Sequence, residues 1–366
     1  MRFALVCLLP VLVMAQSHKI SDAEVQRVHK SALLIDTHDD IANEQAGDDR
    51  ESAGFDIGPH APHAHTDLPR LKQGGVGAMF FVSYVAKEFA DHGTAGGAYA
   101  RGMSFVDSIQ HDLVERYPND FSLATTAAEI EAAHKQGKIA ALIALEGGHA
   151  IEDSLDKLRE FQRRGVRYMT LTHTNTNNWA DSSGDIDRAD VQHRNGLTDF
   201  GKDVVREMNR LGMMVDVSHV ADKTFWDALE TSRAPIIASH SNARAIANVP
   251  RNMTDEMIIA LAKKGGVIQV NFNCPFLTTE KPPHATIADV VAHIDHIRKI
   301  AGINALGIGS DFDGISCSPA GLEDVSKYPN LTRALLEKGY SASDIRKIYG
   351  ENLLRVMKAV ENVAKN

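Results

Sequence analysis

The residues best able to do chemistry are scattered along the chain but share one kind of position. His38 and Asp40 stand in IDTHDD, Glu146 in ALEGGH, His173 in LTHTN, His219 in DVSH, His240 in ASHSN and Asp311 in GSDFDG. Each is an imidazole or a carboxylate, the groups that ligate divalent metals or carry protons, and each closes or follows a short apolar run. Singly they say little. A His-x-Asp is usually a cap or a turn, and a lone His beside an apolar run is more often a satisfied core residue. Glu146 is harder to dismiss, because a carboxylate at the end of IAALIAL is costly to bury unless it is paired or bound to a cation. Jointly, imidazoles and carboxylates with no thiolate except Cys274 suit zinc or a similar ion better than calcium or magnesium. They also outnumber the ligands of one tetrahedral ion, so a binuclear centre bridged by a carboxylate would use the surplus.

Such residues can meet only if the elements carrying them converge. The apolar runs lie at 32–36, 77–85, 139–146, 166–173, 213–219, 235–240, 267–272 and 305–313, eight in all. Between them, SLDKLREFQRRG, LTDFGKDVVREMNRLG, DEMIIALAKKGG and TIADVVAHIDHIRKIAG repeat apolar residues every three to four positions and end in glycine, as helices do. Nearly continuous apolar strands alternating with amphipathic helices predict a parallel sheet covered by helices. Eight such units predict an α/β fold, a single (β/α)8 TIM-type barrel with its site at the carboxyl ends of the strands, in preference to an open doubly wound sheet.

Composition narrows the partners. Of the 366 residues, 43% are hydrophobic and 24% charged, enough for a large core, and the net charge of −9 comes without a basic stripe, so nucleic acid is not expected. The opening MRFALVCLLPVLVMAQ, with an early Arg, a short apolar stretch and small Ala15, predicts a signal peptide over 1–16 and export to a periplasmic or secreted location. No linker interrupts 20–366, which reads as one barrel domain, and the polar KAVENVAKN end gives no stable membrane anchor. Cys274 and Cys317 follow two separate strands and are expected to be free thiols. There is no G-x-S-x-G elbow, phosphate loop or H-E-x-x-H helix; GGVGAM precedes a strand where a dinucleotide loop would follow one, and HAPHAH (60–65) reads as a solvated loop.

The blocks DTHDD, ALEGGH, YMTLTHTNTNNWAD, DVSH, ASHSNARAIANVPRNMTD, GIGSDFDG, GLEDVSKYPNL and GENLLRV together resemble the membrane dipeptidase (renal dipeptidase) family of binuclear zinc hydrolases, from about residue 30 to the C-terminus. The resemblance implies two Zn2+ per chain, one on His38 and Asp40, the other on His219 and His240, with Glu146 bridging. It implies that His173 contacts the substrate carbonyl or its oxyanion, that Arg251 binds the free carboxylate of a dipeptide substrate, that Asp311 is the acid/base and that the chain forms a homodimer. DTHDD departs from the family's more usual D-G-H-N-D by a β-branched residue and an extra negative charge beside the ligands. D-residues at the C-terminal side of the substrate are a further expectation. Another binuclear amidohydrolase acting on N-acyl amino acids or lactones, a mononuclear deaminase, and a noncatalytic metal- or peptide-binding relative remain open.

Overall fold

A computed structural model describes residues 19–42, 56–90, 97–281 and 284–365; the predicted signal peptide and much of the polar loop after residue 40 lie outside them. The strands are β1 (Leu34–Asp39), β2 (Val76–Tyr84), β3 (Phe121–Leu123), β4 (Ile139–Glu146), β5 (Val166–Thr170), β6 (Met214–Asp216), β7 (Ile237–Ala238), β8 (Val267–Val270) and β9 (Leu306–Ile308). Eight of them form a closed parallel ring in the order β2-β1-β9-β8-β7-β6-β5-β4, shut by β4 pairing with β2 from Ala78↔Ala140 to Tyr84↔Glu146. The predicted barrel is therefore the fold.

The ninth strand, β3, was not expected. It pairs with the first residues of β4, through Phe121↔Ile139 to Leu123↔Ala141, before β5 takes over that edge at Ile143. A three-residue strand is too short to carry a period, which is why its sequence is silent.

Alternation along the strands divides the core in two. Ala78, Phe80 and Val82 of β2 pack with Ala140, Leu142 and Ala144 of β4 and Tyr168 of β5 inside the ring. Their neighbours Met79, Phe81, Ala141, Ile143 and Leu145 face the helices outside. Burial on both faces produces the unbroken apolar runs. The four predicted helices form at Leu155–Arg163, Asp199–Leu211, Asp255–Lys263 and Ile287–Ala301. Ser154, Thr198 and Thr254 cap the first three, each accepting a backbone N–H from the first turn, and Thr286 forms a capping box with Asp289. The C-terminal stretch forms two helices, Ala342–Arg346 and Asn352–Ala364, about a wide turn at Lys347–Glu351. There Gly350 lies so close to β1 that a Cβ would stand 2.3 Å from the Leu33 carbonyl oxygen.

The expectation of free thiols is overturned. Cys274 and Cys317 form a disulfide across a sequence separation of 43, with Cα atoms 5.6 Å apart. Their pairing follows from β8 and β9 being neighbours in the ring, so that the segments following them run side by side; the Cys274 N–H also donates to the Cys317 carbonyl at 3.2 Å. Loop-closure entropy for a span of that length gives an upper figure of about 4 kcal/mol. Cys317→Ser is expected to lower the unfolding free energy by ~2–4 kcal/mol in denaturant titrations.

Candidate metal centre

The chemical side chains stand at the carboxyl ends of the strands, His38 within β1 and Glu146 as the last residue of β4, the others just beyond their strands. β6 ends at Asp216 and β7 at Ala238, leaving His219 and His240 on the segments that follow. His219 and Asp311 hold left-handed backbones, φ 65° and 67°, which non-glycine residues adopt only when their surroundings enforce it. Buried aspartates do the enforcing. The Asp216 carboxylate accepts from Ser218 N, Ser239 N (2.8 Å), Ser239 Oγ (2.6 Å) and Thr170 Oγ1 (2.6 Å), tying β5, β6 and β7 together. Asp36 does the same between β1 and β9, accepting from Ser310 N (2.9 Å), Ser310 Oγ (2.6 Å) and the Tyr328 hydroxyl.

The seven imidazoles and carboxylates converge, in interlocking groups of His38, Asp40 and Glu146, of His38, His240 and Asp311, and of Glu146, His173 and His219. Glu146 is central. Its Oε1 lies 3.2 Å from His219 Nε2 and 3.3 Å from His240 Nε2, and those two nitrogens are 2.9 Å apart. Its Oε2 faces the other way, 3.5 Å from His38 Nε2, which is also 3.5 Å from Asp40 Oδ2. Ligand atoms ~2.0–2.1 Å from a tetrahedral ion lie roughly 3.3–3.4 Å from one another, so both sets have the spacing of a ligand shell.

Hydrogen bonding fixes which nitrogens face inward. The Tyr168 hydroxyl donates its one proton to the Thr37 carbonyl (2.8 Å), so it accepts from His38 Nδ1 at 2.8 Å, leaving the Nε2 lone pair free. Ser239 Oγ donates to Asp216, so it accepts from His240 Nδ1 at 2.7 Å, with the same result. His38 Nε2 and Glu146 Oε1 are buried without a good hydrogen bond, as expected of atoms built to hold cations. These residues fit a pair of metal ions. Tyr168→Phe removes the acceptor that orients His38, and is expected to weaken metal affinity about 10–100-fold in chelator competition.

Electrostatics agree. Burial holds His219 and His240 well below the ordinary imidazole pKa, with the Arg251 charge adding to the effect, so both are neutral, the form in which an imidazole can hold a metal. Burial opposes charge on His38, yet the Tyr168 hydroxyl, Glu146 and Asp40 raise its pKa well above the usual value. That side of the pocket therefore demands a positive charge, which a proton or a metal can supply. Burial opposes ionisation of Glu146, but His38, His173 and the nearby imidazoles of His219 and His240 hold it well below the usual carboxylate range. Asp311 is pushed up to about 7, chiefly by burial, against the pull of His38 and with Asp40 and Glu146 adding to the rise.

Around the centre, His173 lies between Tyr84 and His219, with ring centroids 4.7 and 4.5 Å away, and burial lowers its pKa. Arg251 donates from Nη1 to Ser241 Oγ and from Nη2 to the His240 carbonyl, both at 2.7 Å, and lies over the Phe276 ring. Its buried Nε has no hydrogen-bond partner. HAPHAH does not gather into a metal tract: His60 bonds Asp67, and His65 accepts from Asp313 N at 2.9 Å.

Sequence reading passed over the supports. Tyr168 looks like any strand aromatic. Asn271 donates from Nδ2 to Asp311 Oδ2 at 2.8 Å and from its backbone N–H to Asn242 Oδ1 at 3.1 Å. Asn242 and Asn252 both reach the Phe276 carbonyl, and His293, buried and lowered to about 4 by burial, accepts from Ala243 N and donates to the Leu277 carbonyl. This network joins the Arg251 loop, the segment after β8 and Asp311. None of these residues has a spacing signal; the strand-end position of Asn271, in VNFN, is the one clue that was there to find.

A closed parallel barrel with imidazoles and carboxylates clustered at its carboxyl mouth defines a metallohydrolase of the amidohydrolase-like type. Comparison with known proteins makes this specific. Residues 22–366 match the family model described as membrane dipeptidase, peptidase family M19, and the chain belongs to that family. It is 40% identical over 304 residues to dipeptidase tcpJ of Claviceps purpurea, covering 82% of this chain and 70% of that one. Among solved structures it is similar to the probable dipeptidase PvdM of Pseudomonas aeruginosa, with 25% identity, a TM-score of 0.82 and coverage of 94% and 99%. It is also similar to a Rhodobacter sphaeroides metallopeptidase liganded with a phosphinate mimic of the dipeptide L-Ala-D-Ala, with 28% identity, a TM-score of 0.79 and coverage of 90% and 99%. The protein is a metallopeptidase that hydrolyses peptide bonds.

Proposed function

We propose that the chain is an exported, zinc-dependent dipeptidase holding two Zn2+, one on His38 and Asp40 and one on His219 and His240, with Glu146 bridging them. The observation that carries this reading is the Glu146 carboxylate, whose two oxygens face two separate imidazole sets. When bound, zinc supplies water acidic enough to be deprotonated at neutral pH and polarises a carbonyl.

The chain's own residues do the rest. Arg251 has spent two N–H groups on Ser241 and His240; the remaining N–H groups of its two Nη atoms grip a free carboxylate, which favours substrates whose C-terminus lies one residue past the cut. His173, kept neutral by burial, donates an N–H to the carbonyl oxygen as negative charge develops there. Asp311 takes a proton from the attacking water at Oδ1 while Asn271 holds Oδ2, then returns it to the leaving amine. The L-Ala-D-Ala mimic bound by the Rhodobacter relative supports acceptance of a D-residue at the C-terminal side. Export is supported by the leader-like N-terminus and by the disulfide, which persists in oxidising compartments. The family resemblance supports a homodimer.

The test is a dipeptide panel with L- and D-configured C-terminal residues, assayed with and without chelator, alongside metal analysis. Chelator-sensitive cleavage and two zinc equivalents per chain are expected. One tightly held ion, or cleavage of lactones or N-acyl amino acids in place of dipeptides, would overturn the proposal.

A further inference from the structure

Just after β8 comes a single helical turn, Cys274–Leu277, with the sequence CPFL. A turn this short has little stability of its own, because nucleating a helix fixes more dihedral angles than one hydrogen bond repays. It must be held from outside, and it is held at both ends. The Cys274–Cys317 disulfide ties its first residue to the segment after β9, and the carbonyl of its last residue, Leu277, accepts from His293 Nε2 at 3.1 Å.

What the anchored turn carries is Phe276. Its carbonyl accepts from Asn252 Nδ2 at 2.9 Å and from Asn242 Nδ2 at 3.3 Å, and Asn252 is the residue next to Arg251 in the chain. Its half-buried ring lies against Arg251, whose Cζ stands over it, 5.4 Å from the centroid. Backbone and side chain of one residue thus both reach the arginine loop.

The way Arg251 is held leaves it fit to bind an anion. Its two hydrogen bonds go to the Ser241 hydroxyl and the His240 carbonyl, neither of them charged. A carboxylate in their place would neutralise the guanidinium and compete with a substrate. An aromatic ring does neither: its negative face attracts the cation but offers no strong hydrogen-bond acceptor, so the remaining N–H groups stay available. A two-pronged grip on a carboxylate depends on the guanidinium being held in one orientation, which the ring helps to fix.

We propose that Phe276, carried on the disulfide-anchored turn, is a positioning residue for Arg251 and sets how tightly the free carboxylate of the substrate is held. The inference rests on the role of Arg251 proposed above. The disulfide then serves binding as well as stability: it fixes the turn, the turn places the ring and the carbonyl of Phe276, and those place the guanidinium. Because Phe276 acts through Arg251 and not on the reacting atoms, its loss appears in KM and leaves kcat and metal content alone.

The experiment measures kcat and KM of the zinc-loaded full chain for Ala-Ala, with the C-terminal residue in the configuration the protein accepts. It compares the wild type with Phe276→Met, Phe276→Tyr and the double variant Cys274→Ser, Cys317→Ser, and reads the zinc content of each. Phe276→Met keeps most of the volume and loses the ring, so KM is expected to rise about three- to tenfold, the scale of one cation–π contact, with kcat within about twofold of wild type. Phe276→Tyr keeps the ring and should hold KM near the wild-type value. The double serine variant, assayed well below its unfolding transition, should raise KM in the same direction. An unchanged KM in Phe276→Met would overturn the role of Phe276, and so would a fall in kcat accompanied by loss of zinc, which marks a merely structural residue. A wild-type KM in the double serine variant would overturn the part assigned to the disulfide. All of these outcomes leave the dipeptidase reading intact. Wild-type protein that cleaves Ala-Ala amide as readily as Ala-Ala would instead remove the carboxylate grip of Arg251, and this inference with it.

Discussion

On the two-zinc centre proposed above, Glu146→Gln is expected to lose at least one metal equivalent and to lower kcat/KM by a thousandfold or more, about 4 kcal/mol of transition-state stabilisation. The substitution keeps shape and volume, so the barrel should fold. It changes one thing: a carboxylate offering an oxygen to each side becomes an amide offering one oxygen and one N–H. Whichever way the amide turns, one of the two imidazole sets, His38 on one side or His219 and His240 on the other, meets a donor where it needs a ligand. The lost negative charge also weakens the pocket's hold on any cation, because Glu146 is the ionised group nearest to both sets. Elemental analysis of dialysed protein, with steady-state kinetics, checks this. Two retained metal equivalents with more than a tenth of wild-type activity would show that the bridge is not what assembles the centre.

Asp311→Asn separates holding metal from moving protons. Here kcat is expected to fall about a thousandfold, within the 10²–10⁴ range typical of a lost acid/base, while both metal equivalents remain. Geometry places Asp311 at the edge of the cluster, with Oδ1 3.9 Å from His38 Nε2, further out than Asp40 or Glu146, and with Oδ2 held by Asn271. Its carboxyl is pushed up to about 7 by burial and by neighbouring acids, and cations bound beside it would bring that value down. As the acceptor it must be ionised, so wild-type activity should decline as pH falls through the Asp311 pKa, and the variant should lack that acid limb. Loss of metal in the variant would make Asp311 a ligand.

How legible all this was differs from residue to residue. His38, Asp40, Glu146, His219, His240 and Asp311 could be found because a charged or titratable group at the end of an unbroken apolar run conflicts with burial, and such conflicts mark sites. The barrel could be found because every strand is covered on both faces and every helix on one, which writes two distinct periods into the chain. Tyr168, Asn271 and His293 could not. Each satisfies a local pattern that a plain core residue would satisfy equally well, and its partner lies far away in sequence: 130 residues for the Tyr168 bond to His38, 40 for Asn271 to Asp311 and 50 for His293 to Ala243. The disulfide was misread for the same reason, since two cysteines carry no information about whether their strands are neighbours.

The chain by itself thus determined the donor set, the alternation of strand and helix, and the mouth of the barrel at which the donors gather, because these are written in residue type and period over short spans. Tertiary structure alone decided that His38 and His240 present Nε2 inward and that Cys274 meets Cys317. Each of these depends on which strands become neighbours when the ring closes at β2 and β4, and closure is a property of the whole sheet that no local stretch encodes.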